Sequence, residues 1–417
     1  MNKNINKNNK KVAFYLLSLF GGGGQKVILD LAKGFSLQGY KVDLLLFSRK
    51  GNLLSRIDSR INIIDLGSKR ILFSVFPIIK YLKNEKPLFV MGTSEHANLV
   101  LILAKLFSRT KTKVLVRVGM TFFDLFKNYK KKRDRLIPLL IKLLYPYADK
   151  IIANSQNVAH DLEKVSKLPK NKIQIIYNPK FVEEIKEKSL DRFANARKDG
   201  LDSVSSVTNT PQSSLRGTRQ SRKQSNWDFP DKFTILAVGR LEKQKDFKIL
   251  IRAFALVKRK IDAQLIILGE GGQRKELEEM ILALDLKDVF LKGFTDNPYF
   301  YMANADILVS TSLWEGFSNV LIEAGILGLP ILATDCGSGS RELLAPHSNF
   351  NKQLEKGRIE YADNGILVAK QDKEMIAKAI ILLFEDEELR KEYSEKIKGY
   401  SGEFGIMKIL EKYKEII

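Results

Sequence analysis

From Lys11 onward the chain alternates short apolar runs with longer stretches in which apolar residues recur every three or four positions. KVAFYLLSLF, YKVDLLLF, INIIDL, PLFVMG, TKVLVRVG, DKIIANS and IQIIYNP have strand length and many β-branched residues. ANLVLILAKLFS, between two of them, has helical spacing. A second set begins at FTILAVGRL and continues through QLIILGEG, DVFLKGF, ADILVSTS, PILATDCG and NGILVAK, then ends in a helical run. Continuous apolar strands alternating with helices predict parallel sheets covered on both faces. The expected architecture is therefore α/β: two tandem doubly wound, Rossmann-like domains facing a central cleft. Ligands of such sheets sit outside the carboxyl ends of the strands.

The pattern stops between the two sets. Asp199 to Asn226, DGLDSVSSVTNTPQSSLRGTRQSRKQSN, is rich in Ser, Thr, Arg and Gln without an apolar period, and reads as a disordered insertion. The expected division is a tail over 1–11, a first domain over 12–182, a linker with this insertion over 183–231 and a second domain over 232–395. A C-terminal helical segment over 396–417 then packs back toward the first domain. The opening MNKNINKNNKKVAFYLLSLFGGGG imitates a signal peptide. No small-residue cleavage pattern follows, so VAFYLLSLF reads as a buried first strand, the glycines as a loop, and QKVILDLAKGF as the start of a helix. No apolar run reaches the roughly 18 residues needed to span a bilayer.

Composition is that of an ordinary globular protein, 44% hydrophobic and 28% charged. The single cysteine, Cys336, excludes an internal disulfide and fits a reducing compartment. Charge changes the picture more. Residues 1–150 carry 29 Lys and Arg against 9 Asp and Glu, whereas residues 232–417 carry 27 against 29. Such asymmetry points to an anionic partner for the first half, nucleic acid or a membrane surface. TFFDLFKNYKKKRDRLIPLLIKLLYPYADK places Lys127, Lys130, Lys131, Lys132, Arg133 and Arg135 beside an apolar run. This reads as an interfacial element whose cations contribute roughly 1 kcal/mol each against anionic lipid. Pro138 limits any single long helix, and LIPLLIKLLYPYADKIIA also looks like a buried helix leading into a strand. No recognised nucleic-acid motif accompanies the charge, so no nucleic-acid partner is expected.

The candidate chemistry lies in SLWEGFSNVLIEAGILGLP, where seven residues separate Glu315 from Glu323. ADILVSTS is a strand, LWEGFS a turn and NVLIEAGILG a helix with Val320, Leu321, Ala324 and Leu327 on its apolar face. Ser318 is the expected N-cap. The amides of Phe317, Ser318, Asn319 and Val320 would then face a phosphate at a helix N-terminus. Carboxylates need hydroxyl-rich partners, and a diphosphate flanked by two polyhydroxyl groups is a nucleotide sugar. Arg240 and Lys245, in a loop after a strand, are candidates for the counter-charge. As an isolated pair they would read as solvated loop cations. Glycine turns at Gly239, at Gly269 and Gly271 in GEGGQ, and at Gly23 and Gly24 allow close backbone approach. GEGGQR lacks the third glycine of a dinucleotide fingerprint.

Together GRLEKQKDFKILIRAF, LGEGGQRKELE and ADILVSTSLWEGFSNVLIEAGILGLPILATDCGSGSREL resemble glycosyltransferase family 4, the glycosyl transferases group 1, of GT-B fold. The E-x7-E pattern is the family hallmark. GGGGQKVILDLAKGF and DKIIANSQ with IIYNP look like its weaker N-terminal signatures. The resemblance implies a hexosyltransferase-type enzyme that carries out retaining transfer from a nucleotide diphosphate sugar, UDP-linked, without a cofactor or metal. It implies that Arg240 and Lys245 hold the donor diphosphate, Glu323 the ribose and Glu315 the donor sugar, with Gly239, Gly269 and Gly271 in the donor site.

One departure stands out. Many relatives carry a histidine in the loop after the strand that here is TKVLVRV, but that loop reads GMTFFD. His96, in GTSEHAN, is expected in a different loop, either as a structural histidine or facing the sugar and acceptor pocket. No general base is assigned, and the departing phosphate can take the acceptor proton. DCGSGSREL looks most like the branch adding N-acetylhexosamines in bacterial surface polysaccharides, with Gly337, Ser338 and Glu342 in the sugar pocket. The expected partners are a nucleotide-sugar donor, a lipid-linked saccharide acceptor and an anionic membrane surface. The expected place is cytoplasmic, peripheral on the inner face of the cell membrane, in surface polysaccharide or lipopolysaccharide synthesis. A nucleotide-sugar epimerase of the same fold and a basic nucleic-acid-binding protein are the alternatives.

Overall fold

The structure is a computed structural model, and it describes residues 10–121, 136–166, 168, 170–190, 231–337, 339–350 and 353–417. The chain divides into two compact units, Met1–Lys180 with Phe404–Ile417, and Phe181–Glu403.

The first unit is built on seven strands: β1 (Lys11–Leu16), β2 (Lys41–Leu46), β3 (Ile61–Asp65), β4 (Phe89–Gly92), β5 (Lys113–Val118), β6 (Lys150–Ala153) and β7 (Ile173–Ile175). They lie in the order β3-β2-β1-β4-β5-β6-β7, all parallel. Val12 to Leu16 are buried without interruption, as a strand with helices on both faces requires. The described helices are α1 (Gly23–Leu37), α2 (Val75–Glu85), α3 (Glu95–Ser108), α4 (Ile137–Leu144) and α5 (Gln156–Ser166). The strand order reverses between β1 and β4, which places the loops after those two strands at the switch point.

The second unit repeats the plan with β8 (Phe233–Val238), β9 (Ala263–Leu268), β10 (Val289–Gly293), β11 (Ile307–Ser310), β12 (Ile331–Thr334), β13 (Ile359–Ala362) and β14 (Gly365–Val368). Their order is β10-β9-β8-β11-β12-β14-β13, parallel except for the β13/β14 pair. Its helices are α6 (Val182–Ser189), α7 (Phe247–Val257), α8 (Arg274–Ala283), α9 (Pro298–Asn304), α10 (Asn319–Ile326), α11 (Gly339–Leu344), α12 (Lys373–Glu385) and α13 (Glu387–Ser401). The reversal here falls between β8 and β11.

Several expectations are corrected. The region from 183 is not all linker: α6 packs on α9, and Asn297 Nδ2 donates to the Lys188 carbonyl at 2.8 Å. A break at 395/396 falls inside α13, a continuous helix that packs on α10 within the second unit. The first unit resumes only at Phe404, and α14 (Ile406–Lys414) packs on α1. There Gly34 leaves room for Ile406 and Leu410, whose methyls stand 2.8 and 2.9 Å from where its Cβ would be. Strand β13, IEYA, was not read as a strand, because an exposed antiparallel edge of four residues carries no continuous apolar run. The expected disordered insertion over 199–226 lies outside the described residues, as do residues 1–9 of the expected tail over 1–11, whose last residue, Lys11, already opens β1. Among the described residues no helix is long and apolar enough to cross a membrane.

Candidate active site at the second switch point

Two loops leave the carboxyl ends of β8 and β11, which are adjacent strands through Ile235↔Ile307 and Leu236↔Leu308. The β8 loop carries Gly239, Arg240 and Lys245; the β11 loop carries Glu315 to Ser318. Backbone and side chains join the two. Leu313 N donates to the Gln244 carbonyl at 2.8 Å, Gln244 Nε2 to the Trp314 carbonyl at 2.8 Å, and Thr311 Oγ1 to the Lys245 carbonyl at 2.9 Å. The result brings Lys245 Nζ onto Glu315 Oε1 as an ion pair, 70 residues apart in sequence. Both side chains are mostly buried, at 16% and 13% exposure, and Ser312 Oγ also donates to Glu315 at 3.0 Å. Arg240 is exposed, and its guanidinium has no ion pair or hydrogen bond among the described residues.

Glycines make this approach possible. A Cβ on Gly239 would stand 2.9 Å from Lys245 Cε, so the lysine stem lies directly on it. Gly269 has φ +143, and its Cβ would lie 1.8 Å from the Gly239 carbonyl oxygen. Gly271 lies 2.5 Å, by the same construction, from the Leu241 carbonyl. Leu241 N donates to the Glu270 carbonyl and Gln273 N to that of Leu241, both at 2.9 Å, which stitches the β8 and β9 loops together. Asp246 opens α7 in the left-handed conformation, φ 46. Burial raises its carboxyl pKa, opposed by the Ile249 amide and nearby cations.

Helix α10 begins at Asn319 with Ser318 in the N-cap position, but the serine side chain makes no cap bond. Its backbone is extended (φ −74, ψ 117), the ordinary N-cap geometry. The expected single apolar face is also corrected. Leu321 to Leu327 are all buried while Val320 is half-buried, because α13 covers the outer side. Gly325 abuts Ser401 and Ile397 of that helix. Glu323, one turn into α10, is 7% exposed, and Phe317 and Ser318 are buried beside it.

The turn after β12 lies against the Glu315 turn: Gly339 N donates to the Gly316 carbonyl at 2.9 Å, and Gly339 has no room for a Cβ beside Phe317 Cα. Gly337 (φ +73) abuts Gln353, and Glu342 on α11 is 2% exposed. Ser338 lies outside the described residues. Sequence reasoning missed Arg341, which holds this turn. Its guanidinium forks onto Asp335 at 3.1 and 2.7 Å and onto Glu360 of β13 at 3.1 and 2.8 Å. Burial pulls its pKa down, but the two carboxylates outweigh that and raise it.

In the first unit, Gly23 and Gly24 are the first residues of α1 and not a free loop, since Gln25 Oε1 accepts from the amides of Gly21 (2.8 Å) and Gly22 (3.1 Å) and closes the turn. Gly24 faces Thr93, after β4, with 3.2 Å between its would-be Cβ and Thr93 Oγ1. These loops meet at the first switch point. His96 lies in the first turn of α3, not in a loop, because Ser94 caps that helix by accepting from Ala97 N at 3.4 Å. Arg117 on β5 was also missed: it is 2% exposed, donates to Thr93 Oγ1 at 3.3 Å and to Asn178 Oδ1, and has no carboxylate partner among the described residues. Burial lowers its pKa, against the Tyr413 hydroxyl beside it. The cluster Lys127, Lys130, Lys131, Lys132, Arg133 and Arg135 lies outside the described residues.

Tandem Rossmann-like units of this topology make the GT-B fold. The chain belongs to glycosyltransferase family 4: residues 21–179 match the family model "Glycosyltransferase Family 4" and residues 218–400 the model "Glycosyl transferases group 1". An uncharacterized glycosyltransferase of Methanocaldococcus jannaschii is 32% identical over 371 residues, covering 84% of this chain and 83% of that one. The Campylobacter jejuni N-acetylgalactosamine-N,N'-diacetylbacillosaminyl-diphospho-undecaprenol 4-alpha-N-acetylgalactosaminyltransferase is 30% identical over 415 residues, 96% of this chain and 97% of that one. The Anabaena protein HepE, solved with UDP and glucose, superposes with TM-score 0.73 at 20% identity, over 97% of this chain and 98% of its own. The protein is a glycosyltransferase.

Proposed function

We propose that the enzyme transfers a sugar, an N-acetylhexosamine carried on UDP, to a lipid-linked saccharide in bacterial surface polysaccharide synthesis, with retention at the anomeric carbon. The observation that carries this reading is the Lys245–Glu315 pair at the β8/β11 switch point, with Arg240 exposed on the same loop as Lys245. Without donor, the lysine and glutamate satisfy each other. With donor, Lys245 and Arg240 turn to the diphosphate and Glu315 to a hydroxyl of the sugar. Glu323 takes the ribose hydroxyls, and the amides from Phe317 to Val320, at the start of α10, take a phosphate. Gly239, Gly269 and Gly271 let the backbone approach the donor, while Gly337, Ser338 and Glu342 border the sugar. Gly23, Gly24 and His96 belong to the sugar and acceptor pocket.

In the transfer, the bond from the anomeric carbon to the diphosphate breaks and its electron pair leaves with the diphosphate. Arg240 and Lys245 stabilise that charge, the term most such sites depend on, so no metal or cofactor is called for. The acceptor hydroxyl forms the new bond on the same face, and its proton passes to the departing diphosphate oxygen. The Campylobacter relative, whose name specifies an undecaprenol-diphosphate acceptor, supports a lipid-linked substrate. HepE, solved with UDP, supports the uridine donor. A lipid-linked acceptor implies work at the inner face of the cell membrane, with the Lys127–Arg135 cluster against anionic lipid.

The test is incubation with UDP-N-acetylglucosamine or UDP-N-acetylgalactosamine and a detergent-solubilised polyprenyl-diphosphate saccharide. The expected product is one sugar longer, with the donor's α configuration by NMR. A β-linked product would remove the retaining mechanism. Release of an epimerised sugar without elongation would make the protein an epimerase.

A further inference from the structure

Strand β4 ends at Gly92 and α3 begins at Glu95, so Thr93 and Ser94 alone turn the chain at the first switch point. Ser94 is extended (φ −128, ψ 154), with its hydroxyl turned to the Ala97 amide. Side chains on either side of an extended residue leave the chain on one face, so Thr93 and Glu95 share the face opposite Ser94. Gly24 lies against the same threonine and has no side chain to cover it.

Neither group has the partner its chemistry asks for. Thr93 Oγ1 accepts from Arg117 Nη1 at 3.3 Å, and no described residue accepts the threonine's own proton. Arg117 is buried without a carboxylate, so its charge acts through that bond and makes the threonine hydroxyl a stronger donor. Glu95 is half-buried and has no ion pair or hydrogen bond to another described residue. An acid at a helix start is ordinarily solvated. Here burial raises its pKa, opposed only by the amide of its own residue, so the carboxylate has lost water without gaining a donor. A donor and an acceptor on one face, both unsatisfied, suit a group that is itself both. A sugar hydroxyl is such a group: it gives its proton to a carboxylate and accepts one from threonine.

We propose that Thr93 and Glu95 together hold one hydroxyl of the acceptor's terminal sugar, with Arg117 the positioning residue that fixes and polarises Thr93. This rests on the reading of a saccharide acceptor. The hydroxyl held is not the one that attacks. An attacking oxygen needs a free lone pair and passes its proton to the departing diphosphate, whereas threonine would occupy the lone pair and the carboxylate the proton. The pair therefore selects the acceptor and orients its ring, and transfers no proton.

The experiment is steady-state kinetics with the UDP-sugar and the detergent-solubilised polyprenyl-diphosphate saccharide, beside calorimetric titration of that saccharide. The proteins are the intact chain, Thr93→Val, Thr93→Ser, Glu95→Gln, Arg117→Met and Thr93→Val/Arg117→Met. Thr93→Val and Glu95→Gln raise the acceptor KM by about tenfold, with kcat and UDP affinity unchanged. Thr93→Ser, which keeps the hydroxyl, recovers most of the loss. Arg117→Met raises the KM alone but adds nothing in the Thr93→Val background, because it acts through that hydroxyl. An acceptor KM in Thr93→Val and Glu95→Gln equal to that of the intact protein would overturn the proposal, whether or not Arg117→Met folds. So would a fall in kcat at unchanged KM, which would put the pair in the chemical step. Full additivity of the double variant would remove Arg117 from its positioning role. Elongation with unaltered variants refutes only the pair. Binding of the saccharide without elongation, lost in the variants, refutes only the transfer reading, and no binding by the intact protein refutes both.

Discussion

Gly239 and Gly269 abut across the loops after β8 and β9, yet their alanine variants should fail in opposite ways. A methyl on Gly239 meets Lys245 Cε, Cδ and Cγ at 2.9 to 3.1 Å, all atoms of a flexible stem. The stem swings aside for about 1 kcal/mol of rotamer cost. Its ammonium then leaves Glu315 and the space where a donor diphosphate is proposed. Loss of a charged hydrogen bond costs about 1.5–3 kcal/mol. That weakens nucleoside diphosphate binding by roughly tenfold to 150-fold. A methyl on Gly269 meets backbone instead, 1.8 Å from the Gly239 carbonyl oxygen, at φ +143. Neither can swing, so backbone strain of about 1–3 kcal/mol adds to overlap of about 1–3 kcal/mol. For a unit of this size the melting temperature falls by roughly 5–20 °C. Calorimetric titration with UDP and thermal denaturation of both variants separate the effects. If Gly239→Ala melts as early as Gly269→Ala, or binds UDP as the intact protein does, the reasoning about the lysine stem is wrong.

Three further outcomes are expected. Glu323→Gln should bind UDP and 2′,3′-dideoxy-UDP alike, whereas the intact protein prefers UDP; equal preference in both proteins would remove Glu323 from the ribose. Arg341→Met leaves Asp335, 1% exposed, without its cation and should cost about 3–5 kcal/mol in chemical denaturation. Arg341→Lys should recover only part, because one ammonium cannot fork onto both Asp335 and Glu360. Asp58 has its pKa lowered from 3.8 to about 2, chiefly by its hydrogen bonds from Arg60, against burial. Its folded pKa lies below its unfolded one, so its stabilisation is complete above about pH 4 and disappears as pH falls through about 2. Asp58→Asn should flatten that acid limb of the denaturation profile, and an unchanged limb would show that the pair contributes nothing.

What the sequence showed and what it hid divide along burial. Strands covered on both faces must be continuously apolar, which is why central strands such as β1, β4, β9 and β12 were legible, while the edge strands β3, β7 and β10 kept enough Ile, Val and Leu to be read. β13 was hidden because an edge strand is half solvated and its pairing is antiparallel. Arg341 was hidden with it: an arginine in a short helix reads as solvated until β13 brings Glu360 to it. The nearness of Lys245 to Glu315 followed from no spacing, since it arises from the β8/β11 adjacency. α10 and α4 show the limit of periodicity. Each is apolar enough to be buried, but only packing shows that α13 covers the first while the second keeps Leu139 and Leu143 in solvent. His96 was placed in a loop because a serine cap two residues before it is a weak signal alone.

The central claim is a donor diphosphate held by Arg240 and Lys245. Its most direct measurement is calorimetric titration of the intact protein and an Arg240→Ala/Lys245→Ala variant with UDP, GDP and ADP. The account predicts that UDP binds the intact protein and that the variant loses this binding. Undiminished UDP binding by the variant, or no binding of any of the three by the intact protein, would contradict it.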